Sequence, residues 1–224
     1  MIDWVWFDYN GVVIADARLC HKADSAVIIH FGGMPPSFKL YQDTVNIPAR
    51  DFYAQYGSST GEMDVRNNEV GQVFTQHYEP LADKCRTRRG VRETLKFLKA
   101  HKIKAGIISN HPQWAIEKQL KRLKLEKYFR VVLGNASQTT SMFERNKLLR
   151  LKQYLAANNA DPKKCLIIGD SPEEIEIGRT LGMVAVAIKD GYYATWRLRQ
   201  ARPNFRVIAN VINLIKVIEF CNEK

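Results

Sequence analysis

The stretch Ile2-Asp3-Trp4-Val5-Trp6-Phe7-Asp8-Tyr9-Asn10-Gly11-Val12-Val13 decides the architecture that the rest of the chain follows. Its apolar run is short and rich in Val, Trp and Phe, which is typical of a buried strand. The run leads directly into Asp8, and Gly11 then lets the backbone turn sharply or approach a ligand closely. A carboxylate at the carboxyl end of a buried strand lies where open α/β sheets bind their ligands. Asp8 taken alone would equally fit a residue that caps a turn.

Length and composition indicate a globular protein with one good core. The 224 residues are 46% hydrophobic and 10% aromatic, and no apolar run approaches the roughly 18 residues of a membrane span. No basic segment followed by a long apolar one opens the chain, so no secretion signal is expected. The cysteines are widely spaced without a Cys-x-x-Cys pair, at Cys20, Cys85, Cys165 and Cys221. We therefore expect free thiols, no zinc site and a cytoplasmic location.

The net charge of +11 is unevenly distributed along the chain. Residues 16–85 carry six basic and nine acidic side chains, whereas the remainder carries 28 basic and 14 acidic ones. The densest basic stretch runs from Lys84 to Lys104, with Glu93 as its only acid. Such a stretch could attract polyanions or phosphorylated substrates. A solvated helix face is the more common outcome of such a pattern.

From residue 90 onward, predicted strands alternate with predicted helices. Short apolar strands are predicted over 103–108, 129–133, 165–168, 184–188 and 205–208, with intervening helices that include 145–157. This alternation indicates βαβ units around a parallel sheet, and therefore an α/β fold. Residues 16–85 lack the alternation and show helical spacing over about 17–30 and 65–79, which predicts a mostly helical insertion.

Polar side chains follow three of the predicted strands. They are Asp8 and Asn10 after the first strand, Ser109 and Asn110 after the second, and Asp170 after a later one. Because the carboxyl ends of parallel strands lie along one edge of a sheet, these residues could converge there. Lys147 begins a predicted helix and could reach the same edge. Carboxylates, a hydroxyl, an amide and a lysine together suit phosphoryl transfer through a metal ion.

In this order and spacing the motifs resemble those of the haloacid dehalogenase (HAD) superfamily of phosphatases. The matching stretches are Phe7-Asp8-Tyr9-Asn10-Gly11-Val12, Ile107-Ile108-Ser109-Asn110, Lys147, and Ile168-Gly169-Asp170-Ser171-Pro172-Glu173-Glu174-Ile175-Glu176. Each alone would be a weak match, but together they span nearly the whole chain. The resemblance implies a Rossmann-like three-layer sandwich with a central parallel sheet, formed by residues 1–15 and 86–224. It also implies a small helical cap, formed by residues 16–85, that closes over the substrate.

The resemblance implies a nucleophile and a metal site. Asp8 would attack phosphorus and form an aspartyl-phosphate. The carboxylates of Asp8 and Asp170 and the backbone carbonyl of Asn10 would hold Mg²⁺, a hard cation that prefers oxygen ligands.

A second set of residues is implied to bind the substrate. Ser109 and the backbone amide of Asn110 would hydrogen-bond the phosphoryl oxygens, beside Gly11. Lys147 would offset charge on the nucleophile and phosphate in the transition state. From the residues alone, Ser109 would also fit a helix cap, and Lys147 would also fit a surface lysine.

Two further positions near the motifs have open interpretations. Glu174 stands where the family commonly has Asp, and with Ser171 it also fits a capping box around Pro172 at the first helical position. A partly structural role and a water-mediated metal contact are both compatible with it. His111 follows the second motif and could line the site.

The largest departure from the family pattern is Asn10. Hydrolytic members usually place a second aspartate here, which protonates the leaving group and later activates water. An amide cannot exchange a proton in this way near neutral pH, and general acid–base assistance typically contributes about 10²- to 10⁴-fold. Three explanations are open: a substrate with a good leaving group, a binding or regulatory role, or an asparagine introduced to trap a complex.

The resulting hypothesis is a Mg²⁺-dependent HAD-like phosphohydrolase that acts on a phosphorylated small molecule, with turnover that is impaired or restricted to good leaving groups. The alternative is a non-catalytic or regulatory member that binds a nucleic acid or protein through its basic core surface, including Arg88, Arg89 and Arg92. A phosphatase of nucleotides or nucleic-acid ends would combine the two. Neither the substrate nor the oligomeric state can be predicted; candidates for the cleft are Arg18, His21, Lys22, Tyr41 and Arg66.

Overall fold

A five-stranded parallel sheet forms the centre of the computed structural model, which describes residues 1–223. The strands are β1 (Trp4–Phe7), β2 (Lys104–Pro112), β3 (Phe129–Asn135), β4 (Cys165–Gly169) and β5 (Val184–Ala187). Their order is β3-β2-β1-β4-β5, and every pairing is parallel. The strand that opens the chain therefore lies in the middle of the sheet.

Helices pack against the sheet and fill the segment between β1 and β2. The helices before β2 are α1 (Ala17–His30), α2 (Phe38–Thr44), α3 (Ala49–Gln55), α4 (Thr60–Val65), α5 (Asn67–Ala82) and α6 (Val91–Ala100). Those after β2 are α7 (Gln113–Arg122), α8 (Gln138–Phe143), α9 (Lys147–Ala157), α10 (Pro172–Leu181), α11 (Thr195–Gln200) and α12 (Leu214–Glu223). Residues 16–85 contain α1 to α5, and their separation as a cap domain stays a prediction. Within residues 1–223, no helix is both long and apolar enough to span a membrane.

Both faces of β1 are buried, which explains its continuous apolar sequence. Successive side chains of a strand point to opposite faces. Trp6 packs edge-on against Tyr154 of α9 on one face, with 5.3 Å between ring centroids, whereas Phe7 lies in the opposite core with Val91 of α6. Each such buried side chain contributes about 1.5–3 kcal/mol. Helices on both faces confirm the predicted three-layer α/β sandwich.

The register of the sheet brings three strand ends to one level. The last residue of β1 is in register with Ile107 of β2 and with Ile168 of β4. Asp8 follows β1 directly, and Ser109 and Asp170 lie two residues beyond those partners. The three polar side chains therefore lie at the carboxyl edge of three neighbouring strands, as the motif order predicts.

The predicted strand over 205–208 is wrong. Only Ile208 makes a β-bridge there, to Ile188. Asn204 occupies the edge of β5 instead, because its side-chain oxygen accepts from the N–H of Ala185 at 2.7 Å. Pro203 precedes it and has no N–H to donate to a ladder. The apolar residues of this segment pack on the sheet without forming a regular strand.

Candidate active site

Asp8, Ser109, Asp170 and Lys147 line one cavity of about 120 Å³ at the carboxyl edge of the sheet. The first three come from strand ends, and Lys147 is the first residue of α9. All four side chains are buried. Residues from α1, α2, α3, α5 and α8 line the rest of the cavity, so the predicted polar set and the helical segment enclose the same space.

Lys147 is the centre of a buried ion-pair network. Its Nζ lies 3.4 Å from Asp8 Oδ1, 3.3 Å from Glu173 Oε2 and 2.5 Å from Glu174 Oε1. Burial alone would lower the pKa of Lys147, but the three carboxylates outweigh it and raise that pKa well above its ordinary value. The side chain is only 3% exposed, so Lys147 is not a surface lysine. It is an ammonium beside the predicted nucleophile.

Three carboxylates form a cluster that could hold a metal ion. Asp8, Asp170 and Glu174 each offer an oxygen, and these atoms lie within 4.8 Å of one another. Burial raises the pKa of Asp8 well above its ordinary value; Lys147 opposes this rise, whereas the two other carboxylates add to it. Burial also raises the pKa of Asp170 to about 7. A hard divalent cation such as Mg²⁺ would stabilise the ionised form of all three carboxylates, and their oxygen donors suit it.

Two glycines leave room for the Asp170 carboxylate. Gly11 has a φ of +72°, and a Cβ built on it would lie 2.1 Å from Asp170 Oδ2. A Cβ on Gly191 would lie 1.9 Å from the same oxygen. The N–H of Tyr192 donates to this oxygen at 2.6 Å. Gly11, predicted to border the substrate, therefore shapes the surroundings of Asp170, and Gly191 is a second such position that the motifs did not indicate.

Arg88 connects the two loops that carry these glycines. Its guanidinium donates to the backbone carbonyls of Gly11, at 2.5 Å, and of Lys189, at 2.7 Å. The side chain is half-buried, whereas its neighbour Arg89 is exposed. Arg88 therefore belongs to the support of the site, although the sequence placed it in a basic surface stretch.

Ser109 and Asn110 line the cavity from the end of β2. The Ser109 hydroxyl accepts from the N–H of His111 at 3.1 Å. It does not cap a helix, because α7 begins after Pro112. The Asn110 carboxamide donates to Glu173 at 2.8 Å, and its own oxygen is buried with no hydrogen-bond partner in the described chain. A buried unpaired acceptor of this kind requires an explanation, and a bound ligand is one.

Asn10 is held by a residue that sequence reasoning missed, Asp16. The Asn10 carboxamide nitrogen donates to Asp16 Oδ2 at 2.6 Å and to the Tyr78 hydroxyl at 2.8 Å. Asp16 is fully buried. It also accepts from the Gly11 N–H, and from the hydroxyls of Tyr78 and Tyr192, at 2.5–2.8 Å. Four donors therefore satisfy one buried carboxylate.

The Asp16 contact gives a physical reason for the amide at position 10. An aspartate there, in the same conformation, would place two carboxylates at hydrogen-bonding distance. Like charges so close cannot both ionise without a large cost. An asparagine instead supplies one of the donors that Asp16 needs. Residues 10 and 16 therefore form a matched carboxamide–carboxylate pair.

The sequence model of the haloacid dehalogenase-like hydrolases matches residues 5–188. The chain belongs to this family. It is 27% identical over 180 residues to a phosphorylated carbohydrates phosphatase of Thermotoga maritima, covering 80% of this chain and 81% of that one. It is 23% identical to phosphoglycolate phosphatase 1 of Pseudomonas aeruginosa, covering 94% and 78%. The predicted phosphatase-like HAD membership is confirmed.

Solved structures of the HAD fold superpose on nearly the whole chain. A predicted phosphatase from Clostridium acetobutylicum matches with a TM-score of 0.80 at 15% identity, covering 100% of both chains. A β-phosphoglucomutase from Clostridium difficile matches with a TM-score of 0.74 at 19% identity, covering 100% of this chain and 98% of that one. At these identities the likeness establishes the fold.

The fourth HAD motif combines a helix cap with the carboxylate cluster. The Ser171 hydroxyl accepts from the N–H of Glu173 at 3.1 Å and donates to Glu174 at 2.7 Å. α10 begins at Pro172, as the capping pattern predicts. Glu174 also contacts Lys147, so it is shared between the helix start and the site.

Of the positions that sequence reasoning considered for the cleft, two line the cavity, Tyr41 and His111. Two basic candidates of the helical segment, Arg18 and Arg66, make their contacts outside the cavity lining. The guanidinium of Arg18 lies over the ring of Phe38, 4.3 Å from its centroid, and Arg66 forms exposed ion pairs with acidic residues of α4 and α5. The predicted roles of the motif residues in catalysis, metal binding and substrate binding stay predictions.

Proposed function

We propose that this HAD-family protein is a Mg²⁺-dependent phosphohydrolase that acts on a phosphorylated small molecule through an aspartyl-phosphate on Asp8. The observation that carries the proposal is the position of Asp8 at the end of the central strand, 3.4 Å from the buried ammonium of Lys147. Both line a cavity with Ser109 and Asn110. The phosphatase activities in the names of the relatives support the same reaction class.

The chemistry divides into two displacements at phosphorus. A carboxylate oxygen of Asp8 forms a bond to phosphorus while the bond to the leaving-group oxygen breaks. A water oxygen then bonds to phosphorus while the bond between phosphorus and the Asp8 oxygen breaks, and the proton of the water leaves with the released phosphate or passes to solvent. The Ser109 hydroxyl, the Asn110 backbone amide and Lys147 hold the phosphoryl oxygens, and Lys147 offsets their developing charge. Mg²⁺ held by Asp8, Asp170, Glu174 and the Asn10 carbonyl would supply further charge neutralisation.

Asn10 limits which substrates turn over. Its amide nitrogen donates to Asp16, so the amide oxygen is the group that remains to orient a water molecule. Neither atom can donate a proton to an alkoxide. The proposal therefore restricts efficient turnover to leaving groups that depart with little protonation, such as those of acyl phosphates, aryl phosphates or anhydrides.

We place the enzyme in the cytoplasm. Among the described residues no disulfide joins any of the cysteines, and the thiols of Cys85 and Cys165 are buried. Cysteines that form no disulfide suit a reducing compartment.

Phosphate release with Mg²⁺ tests the proposal. We expect an aryl phosphate and acetyl phosphate to be cleaved at least about 10²-fold faster than an alkyl phosphate of similar size. Asp8→Asn should abolish the activity, and Asp3→Asn, which changes a half-exposed carboxylate at the start of the same strand, should not. The proposal fails if no phosphate is released from any of these three compounds by the native chain, by Asn10→Asp, or by the double variant Asn10→Asp with Asp16→Asn.

The alternative function, polyanion binding, should be tested by neutralising Arg89 and Arg92 but not Arg88. Neutralising Arg88 would disturb the loops of the site, whereas Arg89 and Arg92 are exposed. Salt-sensitive binding of a nucleic acid that weakens in Arg89→Gln with Arg92→Gln would support a binding role. Unchanged binding in that variant would count against it.

A further inference from the structure

Much of the cavity wall is aromatic and aliphatic, and it includes Tyr41, Val45, Phe52, Phe74 and Tyr193. Tyr41, Phe52 and Phe74 belong to α2, α3 and α5. Such walls favour the burial of an apolar body. At about 120 Å³ the cavity is small for a ligand site, which favours a small leaving group.

One carboxylate of the helical segment, Asp24 of α1, lines the same cavity. It is 6% exposed. The Tyr53 hydroxyl donates to its Oδ1 at 2.6 Å, and the Tyr41 hydroxyl donates to its Oδ2 at 2.7 Å. Burial raises the pKa of Asp24, and the tyrosine hydrogen bonds oppose that rise. These bonds fix the carboxylate in place, and the nearby imidazole of His21, which is not among the cavity-lining residues, also opposes the rise of its pKa.

No free cation balances Asp24 among the described residues that line the cavity. Their only basic side chains are Lys147 and His111. Lys147 is already paired with three carboxylates, and His111 lies 3.6 Å from Glu79. An anionic group that comes to lie beside Asp24 would lose its hydration and meet a fixed negative charge instead of a partner.

We propose that the substrate's leaving group is a small phenol with an apolar body that is uncharged or carries an ammonium, and that Asp24 excludes substrates whose leaving group already carries a carboxylate or second phosphate. This specificity rests on the proposed phosphohydrolase function and deepens it. An ammonium or hydroxyl on the leaving group would find an acceptor in Asp24. Phosphoglycolate, the compound in the names of several relatives, would be rejected, because its leaving group carries a carboxylate.

Three aryl phosphates that differ only at the para position test this specificity at pH 8 with Mg²⁺. They are phenyl phosphate, 4-carboxyphenyl phosphate and 4-(aminomethyl)phenyl phosphate. We expect kcat/KM of the carboxylated compound to fall at least about tenfold below that of phenyl phosphate, from one unbalanced charge repulsion in a partly desolvated site. The aminomethyl compound should equal or exceed phenyl phosphate. The three corresponding arylphosphonates, measured by calorimetry, should bind in the same order.

A matched pair of variants assigns the effect to Asp24. Asp24→Asn keeps the shape and an acceptor oxygen but removes the charge, and should reduce the discrimination against the carboxylated compound several-fold. Asp51→Asn removes an exposed carboxylate of α3 and should leave it unchanged. Circular dichroism should show both variants folded.

The possible outcomes distinguish a failure of this specificity proposal from a failure of the proposed phosphohydrolase function. Equal turnover of the carboxylated and unsubstituted compounds by the native chain overturns the inference and leaves the phosphohydrolase intact. The inference is also overturned if folded Asp24→Asn has the same ratio of kcat/KM between the carboxylated and unsubstituted compounds as the native chain. If no compound is cleaved, the phosphohydrolase proposal fails, and the binding order of the phosphonates still decides whether the cavity selects against anions.

Discussion

A carboxylate at position 10 would face the carboxylate of Asp16 across a contact that is 2.6 Å long in this structure. Four donors already hydrogen-bond the carboxylate of Asp16, and Asn10 is one of them. Restoring the family's usual aspartate by one substitution would therefore create two carboxylates that share a proton, as in other close carboxylate pairs. The chemistry of position 10 cannot be changed independently of position 16.

The exchange of the two side chains is the sharper test. We expect Asn10→Asp with Asp16→Asn to raise kcat for an alkyl phosphate by about 10–10²-fold, because a single carboxyl then stands where acid–base assistance is needed. Asn10→Asp alone should gain less and show a shifted pH profile. Steady-state kinetics from pH 5 to 9 measure both. An identical gain in the single variant and the exchange would contradict the pairing, with Asp16→Asn alone as the control.

Lys147 offers a second residue-level test, since it balances three buried carboxylates. We expect Lys147→Met to lower kcat at least about 10²-fold for an aryl phosphate. Removing one partner of a buried ion pair also costs about 3–5 kcal/mol of unfolding free energy, which denaturant melts would measure. Lys152→Met, an exposed change on the same helix, should alter stability by less than about 0.5 kcal/mol. Full activity in a folded Lys147→Met chain would remove Lys147 from the mechanism.

At the scale of elements, the loop after β5 determines whether Asp170 can occupy its place. Gly191→Ala would put a methyl group 1.9 Å from Asp170 Oδ2, so the carboxylate or the loop must shift. We expect Mg²⁺ affinity to fall at least about tenfold, by analogy with the loss of groups that orient metal ligands. Calorimetric titration with Mg²⁺ measures it. Gly61→Ala in α4, which meets nothing within 4 Å, should leave it unchanged.

The strands and helices that are determined by the residue pattern of their own segment were predictable from the sequence. β1, α1 and β4 follow from apolar runs and helical spacing, and Asp8 and Asp170 follow because a parallel sheet collects its strand ends. Asp16 and Asp24 were not predictable. The hydroxyl of Tyr192, which binds Asp16, is 176 residues away in the chain, and no spacing rule connects them. Buried polar contacts between distant segments leave no periodic signal, whereas cores and strand ends do.

At the scale of the whole molecule, the acidic cluster couples global stability to pH. The pKa of Asp170 is raised to about 7 in the folded chain, compared with about 3.9 for an unfolded aspartate. Between these values the folded state keeps a proton that the unfolded state releases, so the free energy of unfolding falls as pH rises. The contribution is up to about 1.4 kcal/mol per pH unit. It is fully present below about pH 4 and lost above about pH 7.

Asp170→Asn does not titrate and isolates this effect. When a chelator removes metal ions, we expect the free energy of unfolding of the variant, minus that of the native chain, to increase with pH between about 4 and 7. Urea denaturation at pH 5, 6 and 7 measures the difference. At pH 7, Mg²⁺ should raise the free energy of unfolding of the native chain more than that of the variant, because it binds the ionised carboxylate. A difference that is constant across this range would contradict the raised pKa.

The pairing of Asn10 with Asp16 also has a consequence for how these two positions evolve. A chain that carries aspartate at position 10 and gains Asp16 acquires two opposed anions, and a chain that loses Asp16 first leaves the Tyr78 and Tyr192 hydroxyls without their shared acceptor. The two positions are therefore epistatic, and both single-step intermediates are disfavoured. Among related sequences we expect them to covary, so that aspartate at one excludes aspartate at the other. A lineage that has once fixed this pair is then held in its substrate range by the geometry of one contact.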